Sequence, residues 1–209
     1  MNVRLTMQVV GAMMPKSETR SRCPHTSTPT LPSVVLDNAV DTADQVTAID
    51  FINRVNWLFD AWDIDAMVDA FLPDSVMHHT HGTVRGRIAT RRFFQEQYPY
   101  TVAGVSRHAT SPIVDPDDDG VIVRYHNLLV RYATQAASPR IVGGQVVSSP
   151  TGLPALWVYS AMADRLRRTD CGWRIFERRV GETSMNDLLT PGASNSGYMD
   201  PYLSPAAAW

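Results

Sequence analysis

The chain has few cysteines, no marked excess of charge of either sign and no long apolar run. Its 209 residues include two cysteines, Cys23 and Cys171, too few for a disulfide framework or a metal-binding cysteine cluster. The 19 Lys and Arg residues nearly balance 21 Asp and Glu residues, so no overall field attracts nucleic acid or an anionic membrane surface. No apolar run approaches the ~18 residues that span a bilayer. We therefore expect a cytoplasmic protein that binds neither nucleic acid nor membrane.

Proline, serine and threonine concentrate at both ends of the chain. The stretches PKSETRSRCPHTSTPTLPS and TPGASNSGYMDPYLSP show no sustained periodicity, which is typical of extended or disordered segments. We predict a leader over residues 1–42, one folded domain over 43–185 and a tail over 186–209. The tail carries aromatic residues that are able to pack over a pocket or a neighbouring subunit.

Helical periodicity comes first in the folded region. Apolar residues from Val46 to Trp62 recur at steps of three or four, which predicts an amphipathic helix. Asp63 can cap a second, shorter helix that ends at Leu72-Pro73. A third helix is expected after Gly86, with three candidate inward residues: Ile88, Phe93 and Phe94.

Alternating strand patterns follow the helices. The candidate strands cover residues 105–114, 121–132, 156–168 and 173–181, with turn signals at DPDDDG and TDCG. Helices first and antiparallel strands afterwards indicate an α+β fold, with the helices packed on one face of a curved sheet.

Four blocks of the chain resemble a known family. They are NRVNWLFDAWDIDAMVDAFLPDSVM, GTVRGRIATRRFF, RHATSPIVDPDDDGVIVRYHNLLV and DRLRRTDCGWRIFERRV. In this order they are similar to the SnoaL-like group of the nuclear-transport-factor-2-like superfamily, over about residues 46–181. The resemblance implies a cone-shaped, strongly bent sheet around a long helix, with an apolar cavity open at one end. The family includes scytalone dehydratase, bile-acid dehydratases, polyketide cyclases and isomerases, and some members are not enzymes.

The resemblance also implies a catalytic pair. In the dehydratase branch an aspartate of the first helix hydrogen-bonds a strand histidine that acts as the base, and the matching residues here are Asp60 and His108. A buried carboxylate needs such a partner, and in return it fixes the histidine tautomer, leaving the other ring nitrogen to accept a proton. Alternatively, Asp60 is an exposed helical carboxylate and His108 bonds a backbone carbonyl.

Further residues are expected to line the cavity and bind the substrate. In VIVRYHNLLVRY, alternation places Tyr125 and Asn127 on one side of the strand and Arg124 and His126 on the other, so only one set can face the cavity. A donor from this strand could stabilise a developing enolate oxygen. Val55 stands where several dehydratases carry an aromatic hydroxyl. The other candidate substrate-binding residues are Val55, Trp57, Phe59, Met77, His79 and Tyr98.

The histidine cluster HHTHG and the arginine groups are given simpler interpretations. His79 and His81 would share a strand face, but a metal site needs a third ligand, and none is apparent nearby. We expect no metal and no cofactor. The groups RGRIATRR and DRLRR are interpreted as solvated faces or sheet-edge charges.

The preferred hypothesis is a cofactor-free lyase, such as a dehydratase, or an isomerase acting on a hydrophobic, cyclic small molecule. One alternative is a non-catalytic binding module or small subunit. Another is cyclase or epoxide-hydrolase chemistry in the same cavity. By analogy with the family, we expect a homodimer or homotrimer.

Overall fold

The computed structural model describes residues 31–37, 39–79, 82–98, 104–133 and 152–189, and it confirms the predicted α+β fold. Most of the predicted leader, most of the loop 133–155 and most of the tail lie outside the described residues. The helices are α1 (Thr42–Ala61), α2 (Ile64–Asp69) and α3 (Arg87–Gln97). The strands are β1 (Phe71–His79), β2 (Gly82–Arg85), β3 (Val105–Asp117), β4 (Gly120–Arg131), β5 (Ala155–Thr169) and β6 (Gly172–Met185).

The strands form one curved, open sheet in the order β2-β1-β6-β5-β4-β3. Strand β1 is parallel to β6, and the other neighbours are antiparallel. Strands β1, β4 and β6 therefore finish at the same end of the sheet at which β3 and β5 begin. We call this the site end; it carries His79, Arg107, Asn127, Ser160 and Thr183.

Helix α1 begins at a capping aspartate and ends at a residue in the left-handed conformation. The Asp41 carboxylate accepts a hydrogen bond of 2.7 Å from the Ala43 backbone N–H, which satisfies one of the free donors of the first turn. Trp62 ends the helix in the left-handed conformation, at φ 59°. Asp63 then caps α2, as predicted, by accepting a bond of 3.1 Å from Ala66 N–H.

The core lies between the helices and one face of the sheet, which we call the inner face. Its largest fully buried side chains include Ile52 of α1, Phe94 of α3 and Phe71, Met77, Leu166 and Ile175 of the strands. Rings of Phe59, Phe94 and Tyr98 pack at centroid distances of 5.0 to 5.4 Å. The prediction that Ile88 points inward is wrong, because Ile88 lies in the first turn of α3 and is 88% exposed.

The strands predicted after residue 104 are all present, and β6 continues four residues past the predicted end at 181. Two differences occur earlier. Helix α2 ends at Asp69 instead of Leu72-Pro73, because β1 begins at Phe71; Pro73 is tolerated in the irregular stretch of β1 between the paired residues Phe71 and Val76. Strand β2, only four residues long, was not predicted. No helix in the described ranges is long and apolar enough to cross a membrane.

The opposite, outer face of the sheet carries a buried charge network. Glu177 accepts hydrogen bonds from Arg179 Nε at 2.6 Å and Arg165 Nη1 at 3.1 Å, and lies 3.2 Å from His78 Nε2. Arg165 also donates two bonds of 2.8 Å to Asp117. Burial alone would raise the pKa of Glu177, but hydrogen bonds from His78, Arg179 and Arg165 lower it to about 2. The interpretation of DRLRR as a solvated face or sheet-edge charges is therefore wrong for Arg165, which is bound in this network on the interior strand β5.

This network predicts an acid-sensitive contribution to stability. The folded pKa of Glu177, about 2, lies below the ordinary value of about 4.3. The contribution is therefore complete above about pH 5 and is lost as the pH falls towards 2. Glu177→Gln should lower the free energy of unfolding at neutral pH by about 3 kcal/mol and flatten its fall in acid. Urea denaturation from pH 7 to pH 2 measures both effects; parallel curves for the two proteins would contradict the assignment.

Candidate functional site

Asp60, at the end of α1, is bound by strand β3, but its partner is Arg107. Its Oδ2 accepts bonds from the Arg107 backbone N–H at 3.0 Å and from Ser106 Oγ at 3.2 Å. Its Oδ1 accepts a bond of 2.9 Å from Arg107 Nη1. His108 is exposed on the other face of the strand. The predicted Asp60–His108 pair is therefore wrong.

The prediction failed because it placed the wrong face of β3 towards the helices. Arg107 and His108 are neighbours in the chain and therefore lie on opposite faces of the strand. In β3, Arg107 and Ala109 face the helices and Val105 is buried on the same face, whereas His108 is exposed on the other face. Because β3 is the last strand of the sheet, the Arg107 N–H is available to Asp60 instead of a further strand. Side chains alternate between the two faces of a strand, so the residue on the Asp60 side of β3 is Arg107 and not His108.

The Arg107 guanidinium is buried against two aromatic rings. Its central carbon lies 5.5 Å from the Phe59 ring centroid and 5.9 Å from that of Tyr98, and the residue is 8% exposed. Nη1 is held by Asp60, but Nη2 is buried and has no hydrogen-bond partner in the described part of the chain. A buried donor without a partner costs stability, so Nη2 is suited to receive an oxygen of a ligand.

A second ion pair lies deeper in the core. Asp164 accepts two bonds of 2.7 Å from Arg178 and one of 2.9 Å from the Tyr125 hydroxyl. Burial and the charge of Asp164 raise the pKa of Tyr125 well above its ordinary value, so the phenol stays protonated. Burial also raises the pKa of Tyr98, although the charges of Arg107 and Arg178 oppose the shift. Both tyrosines are therefore neutral hydroxyls at physiological pH.

Strand β4 turns Tyr125 and Asn127 towards the helices. Tyr125 is buried in the core, and Asn127 follows two residues later on the same face. The Oδ1 atom of Asn127 is buried and, among the described residues, has no hydrogen-bond partner. His126 faces outward and stacks on Tyr159 at a centroid distance of 5.3 Å, so its predicted place in the cavity is wrong.

The remaining predicted binding residues divide into three groups. Val55, Phe59 and Met77 are buried core residues. Trp57 is 75% exposed on the outside of α1, which contradicts its predicted place in the cavity wall. His79 and Tyr98 approach the same ring: Phe93 lies 5.4 Å from the His79 centroid and 5.5 Å from the Tyr98 centroid. Within the described ranges, no group of three or more His, Cys, Asp or Glu side chains could hold a metal ion; His81 lies outside them.

Residues 40–179, two thirds of the chain, match the family model described as a SnoaL-like domain. The chain belongs to this family. Among curated protein sequences, nothing matches this SnoaL-like domain.

Solved structures share the fold of this SnoaL-like domain at low identity. A protein of unknown function with a cystatin-like fold from Nostoc punctiforme has a TM-score of 0.55 at 13% identity, covering 72% of this chain and 96% of its own. An NTF2-like protein from Novosphingobium aromaticivorans has a TM-score of 0.51 at 20% identity, covering 75% and 88%. ActVI-ORFA from Streptomyces coelicolor has a TM-score of 0.51 at 14% identity, covering 65% and 95%. At these identities the likeness shows the fold alone.

The prediction from sequence missed Arg107, Asp164 and Arg178 of this SnoaL-like domain. A signal for Arg107 exists, because apolar Val105 and Ala109 share its strand parity while Ser106 and Thr110 share that of His108. For the deeper pair, Asp164 stands directly opposite Arg178 in the β5–β6 register. That pairing becomes visible only once the register of the two strands is known.

Proposed function

We propose that this SnoaL-like domain is a cofactor-free lyase or isomerase that moves a proton on a hydrophobic, cyclic carbonyl compound. The observation that supports this most is Arg107, a buried cation with one donor group available at the site end. In this proposal Nη2 binds the substrate carbonyl and then the enolate oxygen formed from it. A fixed donor aimed at developing negative charge is usually the largest single contribution to such catalysis.

Asp60 acts in this proposal as a positioning residue. It holds Nη1 at 2.9 Å and the backbone of the same residue at 3.0 Å, so the guanidinium plane is fixed before substrate arrives. Because the Asp60 carboxylate already accepts three hydrogen bonds, it is poorly suited to remove a proton itself.

His79 is the proposed base. It ends β1 at the site end, two residues after the inward-facing Met77 and therefore on the same face. Ring contacts run from His79 through Phe93 and Tyr98 to Arg107. In this proposal a cyclic substrate lies along these rings, with its carbonyl oxygen at Arg107 and the C–H that loses its proton on the side of the imidazole.

A non-catalytic binding module is the second candidate. The carboxylates of Asp60 and Asp164 favour it, because each already accepts three hydrogen bonds from the protein and is not available to remove a proton. The same hydrogen bonds disfavour epoxide-hydrolase chemistry, which needs a carboxylate able to activate water. A binding module would retain ligands without exchanging their protons.

Deuterium exchange separates the two candidates. We expect wild-type protein to accelerate exchange of the acidic α-protons of beta-tetralone in heavy water, followed by proton nuclear magnetic resonance. His79→Ala should lower the rate by about 10²–10⁴. His108→Ala, on the outer face, is the matched control and should retain the wild-type rate. Binding of the ketone without exchange would favour the binding module, and equal rates in the two variants would exclude His79 as the base.

A further inference from the structure

Two arginine side chains are buried next to each other on the inner face of β3 and β4. Arg107 stands opposite Leu129, and Arg131 stands opposite Val105, so the two arginines are diagonal neighbours, about 7–8 Å apart. Both are buried, Arg131 at 4% exposure. Guanidinium groups seldom leave water to this extent, and two like charges in a buried site repel each other. Such a pair indicates a place where negative charge is bound.

The two charges act on each other, and one of them still has a donor to give. Burial, and after it the charge of Arg107, lower the pKa of Arg131, but arginine keeps its proton at physiological pH. Asp60 bonds only Nη1 and the backbone N–H of Arg107. Nη2 stays buried with no hydrogen-bond partner among the described residues. An anion at Nη2 would satisfy this donor and reduce the repulsion between the two arginines.

The surroundings of the two arginines favour an aromatic carboxylate. The central carbon of the Arg131 guanidinium lies 4.2 Å from the ring centroid of Trp157, a buried residue that packs with Val105. Arg107 lies 5.9 Å from the ring centroid of Tyr98. A planar carboxylate matches the planar donors of a guanidinium, and flat rings pack well against an aromatic body.

We propose that Arg107 and Arg131 together bind the carboxylate of an aromatic acid at the site end. This inference goes beyond the proposed function and does not depend on proton transfer. Because the acid uses Nη2 of Arg107, it competes with the ketone of the proposed reaction. The site end thus accepts a second class of ligand, which is anionic.

Binding of three small molecules to the full chain tests the inference. The probes are benzoate, benzamide and inorganic phosphate, with affinities measured by isothermal titration calorimetry at neutral pH. Wild-type protein should bind benzoate at least about tenfold more tightly than benzamide, because a guanidinium bonds a charged acceptor more strongly than a neutral one. Equal affinities for benzoate and benzamide, or tighter binding of phosphate than of benzoate, would overturn the inference.

Two arginine variants with the same change in net charge separate the site from the overall charge. Arg131→Met should weaken benzoate at least about tenfold and leave benzamide within about threefold of wild type. Arg54→Met, on the exposed side of α1, should keep the wild-type affinity for benzoate. An unchanged affinity in Arg131→Met, or an equal loss in both variants, would overturn the inference. Circular dichroism checks the fold, and Arg131→Gln serves as a second variant with the same expected loss.

Competition tests whether the acid and the ketone share Arg107. Benzoate should raise the KM for exchange of beta-tetralone without changing kcat, and Arg131→Met should weaken this inhibition. Inhibition that lowers kcat alone would overturn the shared site. If beta-tetralone binds without exchange, the proposed reaction fails, and displacement of the bound ketone by benzoate replaces the kinetic test. A ketone that benzoate does not displace would then overturn the inference.

Discussion

Asp164→Leu is expected to lower the free energy of unfolding by about 3–5 kcal/mol. The Asp164 side chain is fully buried and accepts bonds from Arg178 and Tyr125. Its loss leaves a guanidinium without a counterion 5.3 Å from the Phe71 ring and 5.9 Å from the Phe59 ring. Urea denaturation at neutral pH measures the change, and a loss of less than about 1 kcal/mol would contradict the importance of this pair.

A double variant distinguishes the cost of an unpaired charge from that of altered packing. Asp164→Leu combined with Arg178→Met removes both charges and keeps apolar volume at both positions. We expect the double variant to recover most of the stability that the single variant loses, because a buried ion pair contributes little compared with apolar side chains of similar size. Equal stability of the single and double variants would instead indicate that altered packing around Asp164 or the unpaired Tyr125 hydroxyl causes the loss.

Arg107→Met is expected to reduce the rate of α-proton exchange on beta-tetralone by about 10²–10³, the usual effect of removing one oxyanion donor. The fold should persist, because Asp60 still accepts bonds from Ser106 and from the backbone N–H of residue 107. Arg107→Lys keeps the charge but not the planar pair of donors, so it should restore only part of the rate. Circular dichroism of each variant checks that the fold is intact.

The kinetic constant that changes in Arg107→Met shows at which stage of the reaction Arg107 acts. If Arg107 acts on the enolate, Arg107→Met lowers kcat together with kcat/KM. A variant that changes KM alone would show that Arg107 only binds the ground state. An exchange rate within about threefold of wild type would contradict any role in proton transfer.

The order of elements could be predicted from the sequence because periodicity is a local property. The stripe of α1, the cap at Asp63 and the four strands after residue 104 follow from residue spacing and turn composition. Ile88 shows the limit of this reasoning. The spacing of apolar residues does not show which turns of a helix are covered by the rest of the protein. In α3 the buried residues are Phe93 and Phe94, whereas Ile88 in the first turn is exposed.

The candidate site was predicted only in part, for a different reason. Asp60 was identified, but its partner depended on which face of β3 points inward, and one residue of difference exchanges Arg107 for His108. His108 was expected because the resemblance matched it to the catalytic histidine of the dehydratase branch, and burial of the neighbouring Arg107 is uncommon for an arginine. The strand alternation of Val105 and Ala109 indicated the correct face.

The most direct test of the account is the carbon-thirteen shift of the carbonyl of labelled para-hydroxyacetophenone bound to the protein. Hydrogen bonding to a buried guanidinium withdraws electron density from the carbonyl carbon. We predict a downfield shift on binding to wild-type protein and a markedly smaller shift on binding to Arg107→Met. A bound ketone with the same carbonyl shift in both proteins would show that Arg107 does not contact the substrate oxygen, and would contradict the proposed mechanism.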